Sequence, residues 1–408
     1  MKLRRSITEE IYFPEEIWRR ILLNLPTEIL VRFSCVSKKW RDLIRDPSFG
    51  NAHVSYYIQQ KRHNNAAFLL GRFRSCSFFD EYKRFHELLL TAKSEEGDQG
   101  NYDTIGNNFN FRFSVLSPGL DLPPYEFQQP YKIYGSCNGI LCISKSSSRC
   151  HVYLCNPAIG ECLRLPASYW DMGGFWDKSV LGFGFDVRTN DYKVIRLGRV
   201  GRNGSNRAYA EIYRLNTNCW TKLKVKVGSL MDSLAPAGGV FFNGSCYWSG
   251  NCKYIGAAIL KFDFSTEIFS LVLPPYSKRT WNWISATPSV VSDSLALVLE
   301  GRLGLCEVWV MMVQKEEDGK ESSSWSKKCS LRLRPELRFP AMLTCWNHDW
   351  LLLRSRCGRK IRCCFLEDGS TAQKDWGFDI GYTDDLCAVA FQPTLVSLKE
   401  KLKRIGLF

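Results

Sequence analysis

The sequence predicts a chain of two parts, a short helical module followed by a much larger and nearly all-β domain. Apolar residues recur at helical spacing between residues 13 and 47. After residue 66, short apolar runs alternate with turn residues instead, and a repeat of about 50 residues runs through this part. We therefore expect a multidomain α plus all-β fold, with the helical module at residues 1–47 and a helical linker at residues 48–65.

The overall composition is ordinary for a globular protein, but its charge is unbalanced. Charged residues make up 24% of the 408 residues, hydrophobic residues 45% and aromatic residues 13%. The formal charge of +14 fits an acidic partner or simple solubility equally well. Residues 1–12 contain no apolar core of a secretory signal, and no run of 18 apolar residues occurs. We expect a cytoplasmic and/or nuclear protein that has no contact with membranes.

Three short amphipathic helices are predicted in the first part of the chain. Pro14 suits the first position of a helix, because the N–H that proline lacks would be unpaired there. Ile17, Ile21, Leu22 and Leu25 then recur at i, i+4, i+5 and i+8, which predicts one shared face. A second apolar stripe runs from Ile29 to Ile44 and ends before Pro47. Three helices of this length cannot close a core of their own, so their apolar surface needs a partner.

These residues resemble the F-box, whose pattern is Leu-Pro, Ile-Leu, Leu-Pro, Val-Ser-Lys-x-Trp and Leu-Ile. Phe13 stands where the family usually has Leu. The resemblance implies binding to a Skp-type adaptor, which bridges to a cullin-RING ubiquitin ligase. The adaptor-binding residues that it implies are Phe13, Pro14, Ile17, Ile21, Leu22, Leu25, Pro26, Val36, Ser37, Trp40, Leu43 and Ile44. A helical start to some other kind of domain is the alternative.

Strand-length apolar runs fill the second part of the chain. A linker helix from about Ser48 to Gln60 precedes them. The runs occupy residues 67–70, 111–116, 139–143, 152–155, 181–185, 192–197, 211–215, 239–242, 258–263, 307–310 and 386–391. Each is rich in β-branched or aromatic residues and is bounded by turn residues, which predicts strands rather than helices.

A weak internal repeat organises these strands. A strand, a turn and an outer strand at residues 154–166 recur at 213–223 and 262–274, and looser copies end near Leu333 and Trp376. A period near 50 with four strands per unit is typical of kelch-like β-propeller blades. We expect a propeller-type domain at residues 66–398, closed by the run at 386–391 against the first blade, and a C-terminal tail at 399–408. An irregular β-sandwich is the alternative.

Three motifs in this part resemble the plant F-box-associated domain. They are Gly-Ser-Cys-Asn-Gly-Ile-Leu-Cys at 135–142, Cys-Asn-Pro-Ala-Ile-Gly at 155–160, and Gly-Phe-Gly-Phe-Asp followed by Asp-Tyr-Lys-Val within 182–194. Cys155 replaces the usual Trp, which is a loss of size at a predicted core position. Together with the F-box, these motifs make the chain similar to plant F-box proteins, including the S-locus F-box-like branch that recognises pollen-rejection ribonucleases. The resemblance implies a non-catalytic receptor that delivers a target protein for ubiquitination and degradation.

No arrangement of residues predicts a cofactor, a metal site or a catalytic centre. The 17 cysteines form no Cys-x-x-Cys pair and the five histidines are scattered, so we expect buried thiols rather than disulfides or zinc ligands. The glycine-rich stretch 198–204 lies between strands, which is a poor place for a phosphate loop. We also find no Gly-x-Ser-x-Gly elbow. The chain is expected not to be an enzyme by itself.

Substrate recognition is expected on the long connections at residues 93–108, 167–179, 198–207 and 315–325, because binding residues concentrate on loops held by a rigid scaffold. The candidate substrate-binding residues are Tyr169, Trp170, Phe175, Trp176, Arg199, Arg202 and Arg207. The aromatic side chains either contact a partner or cover a blade. Residues 193–226 carry nine basic residues and one acidic residue, a local charge of +8 that either steers an acidic partner or forms a solvated face.

Three functions remain open on the sequence alone. A ligase receptor predicts adaptor binding that is lost when Leu25, Pro26 and Trp40 are altered. A basic nucleic-acid-binding protein, or a non-ligase interaction scaffold, is the first alternative, and nucleic-acid binding predicts a steep salt dependence. A propeller enzyme or small-molecule binder predicts turnover by the β domain. We favour the first of these functions, with a Skp-type adaptor and a protein substrate as partners and with no nucleic acid.

Overall fold

The computed structural model describes most of the chain. The described residues are 14–60, 67–73, 86–93, 111–115, 131–145, 151–168, 179–200, 207–224, 233–234, 239–252, 256–275, 283–291, 293–301, 305–315, 321–332, 341–346, 350–354, 360–365, 375–379 and 385–407. Helices form the first 47 of these residues, and sheets follow up to the last strand. No helix in these ranges is long and apolar enough to cross a membrane.

Four helices follow one another at the start of the described chain, and a fifth lies near its end. They are α1 (Glu15–Leu23), α2 (Thr27–Phe33), α3 (Lys38–Arg45), α4 (Pro47–Gln60) and α5 (Leu398–Arg404). Side-chain capping marks the start of α3, where the Ser37 hydroxyl accepts a hydrogen bond from the Trp40 N–H at 3.1 Å, whereas α1 and α2 begin without such a bond. Pro14 lies one residue before α1 rather than at its first helical position, and Pro26 holds the same place before α2. The helix predicted from about Ser48 to Gln60 is present as α4.

The helical module, residues 14–60, is held together by a small apolar core. Leu22, Leu30, Ile44 and Phe49 are buried there, one from each of the four helices α1 to α4. A fifth buried side chain, that of Leu395, comes from the far end of the chain. The module therefore completes its core with a residue that lies after the last strand.

The strands form six antiparallel sheets in the described part of the chain. Sheet I contains β1 (Ala67–Phe73), β2 (His86–Lys93) and β3 (Phe111–Val115), and sheet II contains β4 (Tyr131–Cys137), β5 (Ile140–Lys145), β6 (Val152–Asn156) and β7 (Glu161–Arg164). Sheet III contains β8 (Val180–Asp186), β9 (Asp191–Val200), β10 (Arg207–Arg214) and β11 (Cys219–Leu223). Sheet IV contains β12 (Ser233–Leu234), β13 (Val240–Phe242), β14 (Ser245–Cys252), β15 (Gly256–Asp263) and β16 (Ile268–Val272). Sheet V contains β17 (Trp283–Val291), β18 (Ser294–Gly301), β19 (Leu305–Lys315) and β20 (Glu321–Arg332), and sheet VI contains β21 (Ala341–Trp346), β22 (Trp350–Arg354), β23 (Lys360–Phe365) and β24 (Asp375–Asp379).

The last strand, β25 (Asp385–Phe391), returns to the first sheet. It pairs antiparallel with β1, with Ala67 opposite Phe391 and Phe73 opposite Asp385, so sheet I has the order β25-β1-β2-β3. The predicted pairing of this segment with the first sheet is confirmed. Neighbouring sheets also contact each other in sequence, and all but sheet IV do so through an end strand. The contacts are β25 with β4, β4 with β8, β8 with β13 and with the inner strand β14, β14 with β17, β17 with β21, and β21 with β25.

The predicted repeat occupies the same place in three successive sheets. It covers β6 and β7 in sheet II, β10 and β11 in sheet III, and β15 and β16 in sheet IV. The intervening turns contain a residue with positive φ, namely Gly160 at 66°, Asn218 at 48° and Glu267 at 57°. Each apolar run predicted to be a strand overlaps an observed strand, because strand length and flanking turn residues are local properties of the sequence.

The cysteines agree with expectation except at one pair. Cys137, Cys142 and Cys246 are buried free thiols, and burial raises the pKa of each of them. Cys155 and Cys162, in contrast, form a disulfide, so the expectation of thiols was wrong here. They lie directly opposite each other on β6 and β7, with 4.1 Å between their Cα atoms, a pairing that the spacing in sequence did not reveal. Within the described ranges, no group of three or more His, Cys, Asp or Glu side chains is placed to hold a metal ion.

Candidate interaction surfaces

Helix α1 carries apolar side chains on two different sides. Ile17 and Ile21 lie one turn apart and are 41% and 47% exposed, whereas Leu22 is 1% exposed and belongs to the core of the module. The prediction that all three share one face was wrong, because successive residues of a helix are rotated by about 100° and Leu22 turns toward α2 to α4. Ile17 and Ile21 are left facing away from that core.

Further exposed apolar side chains lie at the turns between the helices. Val36, in the turn between α2 and α3, is 66% exposed, and Pro14 and Pro26 are exposed just before α1 and α2. We call Pro14, Ile17, Ile21, Pro26 and Val36 the exposed apolar set. Within the described residues of this module, Ile17, Ile21 and Val36 are the exposed large apolar side chains, which makes them the candidates for contact with a partner.

Most of the remaining residues predicted to bind the adaptor lie in the core of the module or pack against it. Trp40 is half-buried, with its ring centroid 5.4 Å from that of Trp18 and 5.1 Å from that of Phe33. Leu22 and Ile44 lie in the core, Leu25 and Leu43 pack against it, and Ser37 caps α3. Phe13 lies outside the described residues.

A groove of about 410 Å³ lies beside Trp40, where α1, α3 and the start of α4 meet. It is lined by Glu15, Trp18, Arg19, Lys39, Trp40, Asp42, Leu43, Asp46 and Ser48. Hydrogen bonds from the Ser48 side chain and from the backbone at the start of α4 hold the pKa of Asp46 below its usual value.

Most of the predicted substrate-binding residues lie where the structure gives no description. Tyr169, Trp170, Phe175, Trp176 and Arg202 are outside the described residues. Arg199 lies on β9 and Arg207 on β10, where Arg199 pairs with Ala208 and Arg207 pairs with Val200. The two arginines are therefore brought to the same end of one hairpin, and residues 198–200 and 207 belong to strands rather than to the loop predicted at 198–207.

The basic stretch at 193–226 is in part an internal network of ion pairs. Lys193 is 2% exposed and its Nζ atom lies 2.8 Å from Asp186 and 3.1 Å from Glu267. Arg196 pairs with Glu211 at 3.0 Å in the interior, and Arg214 is ion-paired with Glu267. The local charge of +8 is therefore not all on the surface. The sequence missed this because most of the acidic partners lie outside the stretch.

The network around Lys193 joins two sheets. Lys193 donates hydrogen bonds to Asp186 in sheet III and, at 2.8 Å, to the Phe264 carbonyl in the turn before β16 of sheet IV. Burial opposes ionisation of Asp186, but hydrogen bonds from Lys193, Thr189 and Ser265 outweigh it and lower the pKa of this carboxyl. The partners of Lys193 come from sheet III and from a turn of sheet IV, so the network connects these two sheets.

A segment after the last strand connects the β domain to the helical module. We call residues 392–407, which include α5, the C-terminal strap. On one side, Leu398 and Leu402 are fully buried in the core between sheets II and III. On the other side, the Thr27 hydroxyl at the start of α2 donates a hydrogen bond to the Pro393 carbonyl at 3.1 Å.

The strap was missed by sequence reasoning, which assigned residues 399–408 to a tail. A signal for α5 was present, because Ser397 followed by Glu400 is a capping pattern and Leu398 and Leu402 are spaced by one helical turn. In the structure, the Ser397 hydroxyl accepts a hydrogen bond from the Glu400 N–H. The pattern predicts the helix but not the surface that it packs against.

A helical module with an exposed apolar set, joined to a domain of four- and five-stranded meander sheets, defines a multidomain protein of the protein-interaction class. Comparison with known families makes this specific. Residues 12–51 match the F-box domain, and residues 108–383 match the F-box associated beta propeller domain. The chain belongs to the family of plant F-box proteins that carry this propeller domain.

Several relatives in Arabidopsis thaliana are named as F-box proteins. An F-box/kelch-repeat protein is 24% identical over 365 residues, which is 88% of this chain and 90% of the relative. An F-box protein from the same plant is 25% identical over 339 residues, covering 81% of this chain and 78% of the relative. Among solved structures, AztD from Citrobacter koseri covers 80% of this chain and 99% of its own, with 9% identity and a TM-score of 0.36. A likeness that loose supports no inference.

Proposed function

We propose that this protein is the substrate-recognition subunit of a Skp–cullin–F-box ubiquitin ligase. The observation that carries the proposal is the exposed apolar set on a module that matches the F-box domain. In such a complex the ubiquitin transfer is carried out by other subunits. This chain contributes proximity, which converts a rare encounter into a near-intramolecular step, and it acts as a non-catalytic receptor.

The adaptor contacts are assigned to Pro14, Ile17, Ile21, Pro26 and Val36. Removing apolar surface from water is favourable by about 25 cal/mol per Å², so these side chains favour association once a partner covers them. Trp40 has a second role, because its ring lies against Trp18 and Phe33 and sets the positions of the helices around them. It is expected to act as an anchor and as part of the core of the module.

The β domain is assigned to target binding as a closed ring of six blades. The pairing of β25 with β1 and the successive contacts between neighbouring sheets support this arrangement. The target-binding residues are expected on the connections between strands, with Arg199 and Arg207 at the end of one hairpin. We place the complex in the cytoplasm and/or the nucleus, where adaptors of this type act.

Co-purification of the full chain with a Skp-type adaptor tests the proposal. Ile21→Glu places a charge in the exposed apolar set and is expected to weaken adaptor binding at least tenfold. The matched control is Ile268→Glu, because Ile268 is also an exposed isoleucine, at 62%, but lies on β16. The control is expected to bind as the wild type does, and both variants should unfold at the wild-type temperature.

Equal loss of binding in both variants would point to general damage rather than to a docking surface. A wild-type chain that binds no adaptor would overturn the ligase role. A non-ligase interaction scaffold would then be the favoured function. Nucleic-acid binding is the weaker alternative, because Lys193, Arg196 and Arg214 are engaged in ion pairs within the fold.

A further inference from the structure

Three sequence motifs in the β domain converge on the C-terminal strap. They are residues 135–142, 155–160 and 182–194, and they come from sheets II and III. None of them lies among the predicted adaptor-binding or target-binding residues. Their contacts with residues 392–407 give them a different role.

The first motif contributes a turn that fits against the strap. Gly139 has φ of +72°, and a Cβ atom added there would lie 2.4 Å from the Gln392 carbonyl oxygen and 2.6 Å from the Thr394 hydroxyl. The same Thr394 hydroxyl donates a hydrogen bond to the Asn138 carbonyl at 3.0 Å. Glycine is therefore required here both by the left-handed backbone and by the close approach of the strap.

The second motif contributes a fully buried amide that holds the strap backbone. The Asn156 Nδ2 atom donates to the carbonyls of Thr394 at 3.0 Å and Val396 at 2.8 Å, and its Oδ1 atom accepts from the Ala158 N–H at 3.0 Å. Only an amide of this size has both the donors and the acceptor that these three bonds need. Beyond the motif, the Glu161 carboxylate accepts hydrogen bonds from the Ser397 hydroxyl and the Lys399 N–H, each at 2.7 Å.

The third motif contacts the helical end of the strap. The Lys401 ammonium donates a hydrogen bond to the Asn190 carbonyl at 3.1 Å and lies 5.0 Å from the centre of the Tyr192 ring and 5.4 Å from that of Phe185. Burial lowers the pKa of Lys401, while the nearby Asp191 carboxylate favours its charged form. The strap is thus attached to sheet III as well as to sheet II.

The opposite side of the strap meets the helical module. Leu395 is 9% exposed and lies in the same core as Leu22, Leu30, Ile44 and Phe49. Thr27 is 2% exposed and donates its hydrogen bond to the Pro393 carbonyl. Ile159, three residues after Asn156, also packs against this core. Residues 393–396 are therefore in contact with both parts of the protein at once.

We propose that the C-terminal strap is a positioning element that fixes the helical module on the β domain, and that the three motifs are its socket. The proposal rests on the proposed ligase role, in which a fixed orientation sets the distance between a bound target and the ubiquitin-carrying subunits. Asn156, Leu395 and Thr27 are positioning residues, since they act on the relation between the two parts and not on a partner. The covalent connection after α4 and the contact of Ile159 with the core of the module are then further attachments beside the strap.

A distance measurement across the two parts tests this role. Noncanonical amino acid labels at Arg20, exposed on α1, and Val187, 79% exposed in the turn between β8 and β9, avoid the native cysteines. Double electron–electron resonance on the full chain should give one narrow distance for the wild type. The double variant Thr27→Val and Leu395→Ala is expected to broaden the distribution at least twofold. Thr217→Val with Leu273→Ala, two exposed residues of the β domain, is the matched control and should leave it unchanged.

A second variant acts from the other side of the strap. Asn156→Ala removes the bonds to Thr394 and Val396 and should broaden the distribution as well. Thr266→Ala is the matched control, because this exposed residue lies in the corresponding turn of sheet IV, where its hydroxyl donates a hydrogen bond to Asp263 at 3.0 Å, and it should leave the distribution unchanged. If Asn156→Ala does not fold, the double variant Thr27→Val and Leu395→Ala is decisive, and if the helices of that double variant unfold, Thr27→Val alone is decisive. A wild-type width in the folded variants would overturn the proposal, because α4 and the Ile159 contact would then suffice to hold the module.

Adaptor binding measured on the same samples separates this proposal from the ligase role. Broadened distances with intact adaptor binding support both. Broadened distances in a chain whose wild type binds no adaptor support the positioning role and overturn the ligase role. Unchanged distances with intact adaptor binding support the ligase role and overturn the positioning role. The strap would then be only part of the β-domain core.

Discussion

The helical module and the β domain differ in which side chains they bury and in where the partners of those side chains come from. The module has a small core that includes Leu395 from the far end of the chain, and it leaves Ile17 and Val36 at its surface. The β domain buries even charged groups, such as Lys193 and Asp186, by giving each of them a partner from within the domain. The core of the module thus includes a residue from outside its helices, whereas these buried charges are paired within the β domain. This difference predicts where substitutions affect stability and where they affect binding.

The largest effect is expected from breaking the ion pair inside the β domain. Lys193→Met leaves the Asp186 carboxylate, which is 0% exposed, without its cationic partner. Loss of one member of a buried pair typically lowers the free energy of unfolding by about 3–5 kcal/mol. Urea denaturation of the full chain measures this loss, and Lys222→Met, an exposed lysine on β11, is the control that should change little. Comparable values for the two variants would show that the pair does not stabilise the domain.

An intermediate effect is expected in the core of the helical module. Trp40→Ala removes the ring that lies between Trp18 and Phe33, and truncation of a large, partly buried aromatic residue lowers the free energy of unfolding by roughly 2–4 kcal/mol. Hydrogen exchange should become faster in α1 to α4 and stay unchanged in the sheets. Val36→Ala is the contrasting variant, since this exposed residue should alter adaptor binding and leave exchange unaffected. Faster exchange in the sheets as well would contradict the division into two units.

The smallest effect concerns the pH dependence of stability. Burial raises the pKa of Asp191 from its ordinary 3.8 to about 6, although the Asn216 N–H and the charges of Lys193, Lys401 and Arg214 oppose this. The folded chain therefore holds this proton between about pH 4 and pH 6 while the unfolded chain releases it, so stability falls as pH rises through that range. The pKa of Asp186 is lowered instead, so its contribution is complete above about pH 4 and is lost as pH falls further.

Asp191→Asn should remove most of the decrease in the free energy of unfolding between pH 4 and pH 6. This decrease amounts to roughly 1–3 kcal/mol, because one pKa unit corresponds to about 1.4 kcal/mol. Chemical denaturation at a series of pH values measures the change. Asp42→Asn, an exposed carboxylate on α3, is the control that should keep the wild-type profile. A wild-type profile in the Asp191 variant would show that another group titrates in this range.

Local patterns sufficed for much of the architecture. Ser37 before Lys38 and Pro47 after Asp46 mark helix boundaries within a few residues of where they act. The strand runs and the three clearest copies of the repeat were found in the same way. The exposed apolar set was only partly predictable. Periodicity placed Ile17, Ile21 and Leu22 together, and the packing of the other helices decided which of them is buried.

Spacing, capping and turn residues act over a few neighbouring positions, so they were enough to predict an F-box module before a domain of repeated β units. Which groups meet across long separations depends instead on the tertiary structure. Asn156 holds Thr394 and Val396, Thr27 reaches Pro393, and Leu395 enters the core of the helical module. Such contacts join residues more than 200 positions apart, and no local pattern specifies them, because they depend on how the complete chain packs.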